Sequence, residues 1–132
     1  MTTEARVLIV DDDASLLQFA AKYLTRLGYQ VVICQGAQEA WTQFASATLS
    51  VSLVLLDVTL RDIPATELAS RMLLANPNLR LLFWSGYPFD PTRIPGVTPS
   101  QVEFLLKPFT PAMLAGAVER LLAPPPAAST SA

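Results

Sequence analysis

Five short apolar runs recur along the chain, and each is followed within two residues by a polar residue or a glycine. None of them alternates between apolar and polar positions. This pattern predicts strands that are buried on both faces, as in a parallel sheet. The predicted strands cover residues 7–10, 31–34, 53–56, 81–84 and 104–106.

Between these runs, apolar residues recur at three- and four-residue spacing, which predicts amphipathic helices over residues 14–27, 37–45, 66–75 and 113–122. Four prolines between residues 86 and 102 leave no room for a normal helix there. We expect at most one helical turn in that segment, after Pro91. Alternating strands and helices predict an α/β fold, a five-stranded parallel sheet that is doubly wound with helices on both faces.

The composition is that of a folded globular protein, since 52% of the 132 residues are apolar and 15% are charged. We predict one domain over residues 1–123 and a disordered Pro/Ala/Ser/Thr tail over residues 124–132. A net charge of −2 without a basic cluster argues against nucleic-acid binding. The sequence shows no apolar membrane span and no signal region, so we expect a cytoplasmic protein that does not bind a membrane.

The chain contains no histidine and a single cysteine, Cys34. The lack of histidine excludes Ser-His and Cys-His nucleophilic pairs, imidazole acid–base catalysis and histidine metal ligands. Cys34 ends an apolar run and is expected to be a small buried residue rather than a reactive thiol. The side chains left for chemistry are carboxylates, lysine and hydroxyls.

Four predicted strands are followed by polar side chains, which a parallel sheet brings to one rim. These residues are Asp11, Asp12 and Asp13 after the first strand, Asp57 after the third, Ser85 after the fourth and Lys107 after the fifth. Taken singly, Asp57 could cap a turn, Ser85 could be a turn residue and Lys107 an exposed lysine. The agreement of four strands indicates a site instead.

Crowded carboxylates without histidine or thiolate favour a hard cation, and Mg²⁺ fits because it takes one or two carboxylates and keeps several waters. A carboxylate beside Mg²⁺ can act as a nucleophile toward a phosphoryl group and form an aspartyl phosphate. Lys107 would supply a point charge and Ser85 a hydroxyl to the phosphoryl oxygens.

Four motifs give the chain its resemblance to a known family: Val10-Asp11-Asp12-Asp13, Leu55-Leu56-Asp57, Phe83-Trp84-Ser85-Gly86 and Leu106-Lys107-Pro108-Phe109. In order and spacing the chain resembles the response-regulator receiver domains of two-component systems, over residues 6–122. It is most similar to the receivers of hybrid sensor histidine kinases. The resemblance implies a flavodoxin-like sheet order of 2-1-3-4-5 and a phosphorelay signalling domain rather than an enzyme.

The resemblance also implies the roles of individual residues. Asp57 would accept a phosphoryl group from the phosphohistidine of a histidine kinase or histidine phosphotransfer protein, and a downstream protein would read the change. Mg²⁺ would be bound directly by Asp12, through water by Asp11, and by Asp57 and the backbone carbonyl of Thr59. The remaining implied features are Ser85 and Lys107 on the phosphate, Phe104 as an aromatic switch that follows Ser85, a cis Lys107-Pro108 peptide, and Asp13 at a helix start outside the site.

The chain departs from the family pattern after Asp57, where Arg61 and then Pro64-Ala65 replace a proline and an Asp-Gly pair. The prolines between residues 86 and 102 also occupy the region of the family's fourth helix, a surface used for signalling contacts or for homodimers. Both changes leave open a receiver-like scaffold that works without phosphorylation.

A second alternative is a small phosphohydrolase similar to the haloacid dehalogenase superfamily, which uses a strand-end Asp-x-Asp pair with the first Asp as the nucleophile. Asp11 and Asp13 match that pair. The chain is short for such an enzyme, and Glu119 is the only acid after Lys107.

Overall fold

The computed structural model of the protein describes residues 5–46 and 50–123, so the predicted tail at 124–132 lies outside the described residues. In chain order the elements are β1 (Arg6–Val10), α1 (Ala14–Arg26), β2 (Gln30–Cys34), α2 (Ala37–Ala45), β3 (Leu53–Asp57), α3 (Ala65–Ala75), β4 (Arg80–Ser85), β5 (Val102–Leu106) and α4 (Pro111–Leu122). Two short 3₁₀ turns, Pro91–Arg93 and Pro99–Gln101, lie between β4 and β5.

All five strands are parallel and form one sheet in the order β2-β1-β3-β4-β5. The predicted fold class and strand order are therefore confirmed. β3 is the central strand, paired with β1 on one side and β4 on the other. Its last residue, Asp57, lies opposite Trp84 of β4 in the register.

Neighbouring residues of each inner strand enter opposite layers of the core, because side chains alternate along a strand. Val54 and Leu56 of β3 pack with α2 and α3, whereas Leu53 and Leu55 pack with α1 and α4. All four are fully buried. Burying one such side chain contributes roughly 1.5–3 kcal/mol, so this strand is held firmly from both faces.

The end of α1 and the start of α4 are set by local capping residues. α1 ends at Arg26, and Gly28 follows with a φ of 103°, which confirms the glycine stop. α4 begins at Pro111 rather than at residue 113, since the Thr110 hydroxyl accepts the Met113 N–H at 3.1 Å and proline suits the first helical position.

The segment between β4 and β5 contains no α-helix, as the prolines predict, but it holds a second 3₁₀ turn that we did not expect. Pro99–Gln101 is closed by a capping box between Thr98 and Gln101. The buried Gln101 amide also donates to the carbonyls of Pro77 and Leu79, at 2.7 and 2.9 Å. These hydrogen bonds fix the entry to β5 against the turn before β4.

Two further expectations concern Cys34 and the membrane. Cys34 is buried, and burial raises the pKa of its thiol to about 12, so it stays protonated as an inert core residue. Among the helices in residues 5–46 and 50–123, none is long and apolar enough to cross a membrane.

Candidate functional site

The carboxyl ends of the strands bring three of the predicted acids together. Asp11 follows β1, Asp12 comes next in the chain, and Asp57 ends β3. One carboxylate oxygen from each of these three residues lies within 4.8 Å of the others. We refer to Asp11, Asp12 and Asp57 as the acid group. Parallel strands β1 and β3 are direct neighbours in the sheet, which explains why residues 46 positions apart along the chain meet here.

Lys107, which follows β5, reaches across β4 to this acid group. Its Nζ donates to Asp11 Oδ2 at 3.0 Å and lies 3.9 Å from Asp57 Oδ2. The carboxylates of Asp11 and Asp57 are only 1% and 3% exposed, whereas the lysine is 26% exposed. One partly exposed cation therefore serves two buried carboxylates.

The acid group contains three carboxylates, and Lys107 alone does not compensate their negative charge at Asp11. Burial raises the pKa of Asp11, and the negative charge of Asp57 raises it further. The hydrogen bonds from the Asp13 N–H and from Lys107 lower this pKa but do not cancel the effect of burial. Because the pKa of Asp11 stays raised, a further cation beside this carboxyl would stabilise its charged form.

The three consecutive acids have three different environments. Asp11 is fully buried, and its Oδ1 accepts the Asp13 N–H at 2.8 Å. Asp12 is exposed, with the Arg61 guanidinium 3.7 Å away. Asp13 caps α1, accepting the N–H groups of Ser15 and Leu16 at 3.0 and 3.2 Å. Asp13 thus starts the helix, as predicted, and it does not join the acid group.

The two carboxylate oxygens of Asp57 have different partners. Its Oδ1 accepts the backbone N–H of Thr59 at 3.0 Å and the Thr59 hydroxyl at 2.9 Å. Its Oδ2 is the oxygen that faces Lys107. Thr59 is thereby held beside the site, and the use of its backbone carbonyl as a metal ligand stays a prediction.

Ser85 ends β4, the neighbour of β3 in the sheet, and is fully buried. Its hydroxyl accepts the Tyr87 N–H at 3.2 Å, and its carbonyl accepts the Lys107 N–H at 2.7 Å. The backbone at Ser85 therefore sets the position from which Lys107 extends. The Lys107-Pro108 peptide is cis, as predicted.

Phe104 lies on β5, half-buried, in a chain of three aromatic rings. Its ring centroid is 6.4 Å from that of Phe89, which in turn is 5.0 Å from that of Phe83. Both contacts are tilted, which is the arrangement that aromatic pairs prefer. The switching role of Phe104 stays a prediction.

Asp62, in the loop after Asp57, is a residue that the sequence analysis missed. Its carboxylate accepts the N–H groups of Ala37 and Gln38 at 3.0 and 2.9 Å and so caps α2 from a distance. Gly36, the N-cap residue of α2, has no side chain to do this. A helix that begins at a bare glycine was the available signal, although it does not say which residue supplies the cap.

We expect Asp62→Ala to lower the free energy of unfolding by about 1 kcal/mol, the usual loss on removing a helix N-cap. The hydrogen bonds from Gln38 and Ala37 lower the pKa of Asp62 below its ordinary value of 3.8. Its contribution is therefore complete above pH 3.8 and is lost as the pH falls below that value. Urea unfolding at neutral pH and at about pH 3 measures both effects.

Asp62→Asn is the matched variant, since the amide oxygen still accepts one N–H but does not titrate. The difference in stability between wild type and Asp62→Asn should shrink in acid. A difference that stays constant with pH would contradict the role of the charged cap.

Comparison with known proteins places these observations in a family context. A family model for the response regulator receiver domain matches residues 7–119. Among curated proteins, the DNA-binding transcriptional regulator NtrC of Rhizobium meliloti (strain 1021) is 33% identical over 123 residues, covering 93% of this chain and 25% of NtrC. The response regulator receiver protein CpdR of Brucella abortus (strain 2308) is 26% identical over 117 residues, covering 89% of this chain and 96% of CpdR.

The chain spans about a quarter of the length of NtrC and 28% of that of the Arabidopsis thaliana two-component response regulator ARR14. Solved structures agree with the fold. A response regulator receiver protein from Sinorhizobium medicae WSM419 has a TM-score of 0.80 at 27% identity, with 90% of this chain and 94% of that chain covered. The receiver domain of the hybrid histidine kinase CckA has a TM-score of 0.74 at 26% identity, covering 90% of this chain and all of that one, 100%.

Proposed function

Because the chain belongs to the response regulator receiver family, we propose that it accepts a phosphoryl group on Asp57 and passes the signal to another protein. Receiver domains are signalling domains, generally not enzymes, and they interact with histidine kinases or phosphotransfer proteins. The observation that carries the proposal is the position of Lys107, 3.0 Å from Asp11 and 3.9 Å from Asp57 within the acid group.

The proposed transfer uses the Asp57 carboxylate as the nucleophile. One of its oxygens forms a bond to the phosphorus of a phosphohistidine on the partner, and the bond from phosphorus to the imidazole nitrogen breaks. The electron pair leaves with the imidazole, which takes up a proton. Lys107 stabilises the negative charge on the phosphoryl oxygens, since its ammonium already lies beside the Asp57 carboxylate.

Receiver domains bind Mg²⁺ at an acidic cluster, and the donor set here fits that ion. The three carboxylates offer hard oxygen ligands, which Mg²⁺ prefers. Asp12 is exposed and suits direct ligation. Asp11 suits a water-mediated role, because its two oxygens already accept the Asp13 N–H and Lys107. When bound, Mg²⁺ would supply positive charge to the phosphoryl oxygens.

The proposed readout starts at Ser85. Its hydroxyl acts as an acceptor toward Tyr87, so its proton is available to donate to a phosphoryl oxygen. Drawing Ser85 toward Asp57 would change the packing around Phe104 on the neighbouring strand. A downstream protein would then recognise the surface around residues 86–101, which has an irregular conformation in this chain.

The phosphohydrolase alternative fits the geometry less well. It needs Asp11 and Asp13 to act together, but the Asp13 carboxylate accepts the amides at the start of α1. The acid that completes the group is Asp12.

The direct test is incubation of the protein with acetyl phosphate, with and without Mg²⁺, followed by intact mass measurement. We expect a gain of one phosphoryl group that requires Mg²⁺ and is absent from Asp57→Asn. Asp90→Asn is the matched control, since Asp90 is an exposed acid outside the acid group. No gain in the wild type, or a gain that survives in Asp57→Asn, would contradict the proposal.

The scaffold alternative is favoured by one observation, the absence of an α-helix in the described segment 86–101. Amide NMR spectra with and without acetyl phosphate and Mg²⁺ separate the two functions. A phosphorylation-dependent signalling function predicts amide chemical-shift changes that extend from Asp57 to Phe104 and into residues 86–101. A phosphorylated protein whose shifts remain beside Asp57 would support a scaffold.

A further inference from the structure

The side chain of Trp84 is a buried member of the core layer formed with α1 and α4. The Lys107 Nζ lies 5.8 Å from the centroid of the Trp84 ring, within the range of a cation–π interaction. Trp84 is fully buried, and it stacks on Phe109 with centroids 5.3 Å apart and ring planes 14° apart. The ring that Lys107 contacts is therefore itself held in place.

The backbone of Trp84 also pairs with β3, the strand that carries Asp57. It lies opposite Asp57 in the register of β3 and β4. Its carbonyl accepts the N–H of Val58, the residue after Asp57, at 3.1 Å. Through its backbone and its ring, one rigid residue contacts both the strand that carries the acceptor and the lysine that faces it.

Burying the Trp84 indole has an energetic cost that packing alone does not explain. In the described part of the chain, Trp84 Nε1 is the one buried side-chain nitrogen or oxygen without a hydrogen-bond partner. An unpaired buried N–H is unfavourable, and phenylalanine would fill an apolar layer without it. An indole attracts a cation more strongly than a phenyl ring does, which gives a reason for tryptophan beside Lys107.

We infer that Trp84 is a positioning residue for phosphoryl transfer, which holds the Lys107 ammonium between Asp11 and Asp57. The inference rests on the proposed function of Asp57 as acceptor. Lysine has a flexible stem and a compact charge, so its position costs side-chain entropy unless the surroundings restrict it. The face of the indole, whose centroid lies 5.8 Å from the ammonium, supplies that restriction.

The contact itself can be measured without phosphorylation. Lys22 and Lys107 are the two lysines of the chain, and Lys22 is exposed on α1. With ¹³C-labelled lysine, we expect the terminal methylene protons of Lys107 to be shifted upfield from those of Lys22 by the indole ring current. The shift should disappear in Trp84→Leu and persist in Leu82→Ala, whose altered residue is buried in the same core layer.

The consequence is measured as the rate of phosphorylation by acetyl phosphate at saturating Mg²⁺. We expect Trp84→Leu to be slower by about tenfold, the size of a partly desolvated cation–π contact. Trp84→Phe should be intermediate, because it keeps a weaker aromatic face and most of the volume. Leu82→Ala should react within about twofold of the wild type, since it loses buried volume but no cation contact.

Two results would overturn the inference. The first is a Lys107 signal that coincides with Lys22 in the wild type. The second is an equal loss of rate in Trp84→Leu and Leu82→Ala, which would make Trp84 a packing residue. If Trp84→Leu does not fold, Trp84→Phe decides by the same comparison. A wild type that shows the ring-current shift but takes up no phosphoryl group would reject the proposed function and support the positioning of Lys107.

Discussion

Lys107→Ala is expected to slow phosphorylation of Asp57 by acetyl phosphate by at least about a hundredfold, the usual effect of removing one group that stabilises developing oxyanion charge. The Lys107 ammonium lies against both buried carboxylates, 3.0 Å from Asp11 and 3.9 Å from Asp57. Its removal leaves the incoming phosphoryl oxygens without their point charge. Intact mass measured over time gives the rate.

The same variant should be less stable by about 2 kcal/mol, because breaking a buried ion pair leaves an uncompensated charge. This figure lies below the roughly 3–5 kcal/mol of a fully buried pair, since Lys107 is 26% exposed. The loss should shrink as the pH is lowered. The pKa of Asp11 is already raised by burial, so without Lys107 this carboxyl takes up a proton more readily and then needs no cation.

Lys22→Ala is the matched control, because Lys22 is exposed on α1. It should leave both the rate and the pH dependence of unfolding unchanged. A rate in Lys107→Ala that equals the rate in Lys22→Ala would show that Lys107 pairs with Asp11 for stability alone.

The rim of the sheet could be predicted from sequence because it follows from periodicity. An uninterrupted apolar run predicts a buried parallel strand, and the next residue is then placed at the carboxyl end of the sheet. This reasoning located Asp11, Asp57 and Lys107 without any tertiary information. It also needed no knowledge of loop conformation, since each residue follows its strand directly.

Contacts that depend on loop conformation could not be predicted in the same way. Asp62 caps a helix whose first residues precede it by 25 and 24 positions in the chain. Gln101 reaches carbonyls 24 and 22 residues before it. No local pattern marks such partners, because each is brought into place by the path of the whole chain.

Trp84 illustrates a different limit. Its apolar neighbours predicted a core residue, and the structure places it in the core. The contact with Lys107 depends on which face of the buried ring turns toward the rim, and strand periodicity does not specify that direction. The contact between this buried aromatic residue and Lys107 could therefore not be predicted without the three-dimensional structure.

The three consecutive acids after β1 provide a test in which neighbouring residues should give opposite results. Asp12→Asn is expected to raise the dissociation constant for Mg²⁺ by at least about tenfold, since even partners outside the ligand shell change metal affinity by 10–100-fold. Without Mg²⁺ it should be slightly more stable than the wild type, because Asp12 repels the grouped carboxylates of Asp11 and Asp57. Its exposed contact with Arg61, at 3.7 Å, contributes little.

Asp13→Ala should behave in the reverse way, with nearly unchanged Mg²⁺ affinity and a loss of about 1 kcal/mol from the missing cap of α1. Asp13→Asn should preserve both properties, because asparagine caps helices as well as aspartate does. Titration with Mg²⁺ followed by amide NMR gives the affinities, and urea unfolding in a chelator gives the stabilities. If Asp13→Asn weakened Mg²⁺ binding as much as Asp12→Asn, the metal would be using Asp11 and Asp13, the pair that the phosphohydrolase alternative requires.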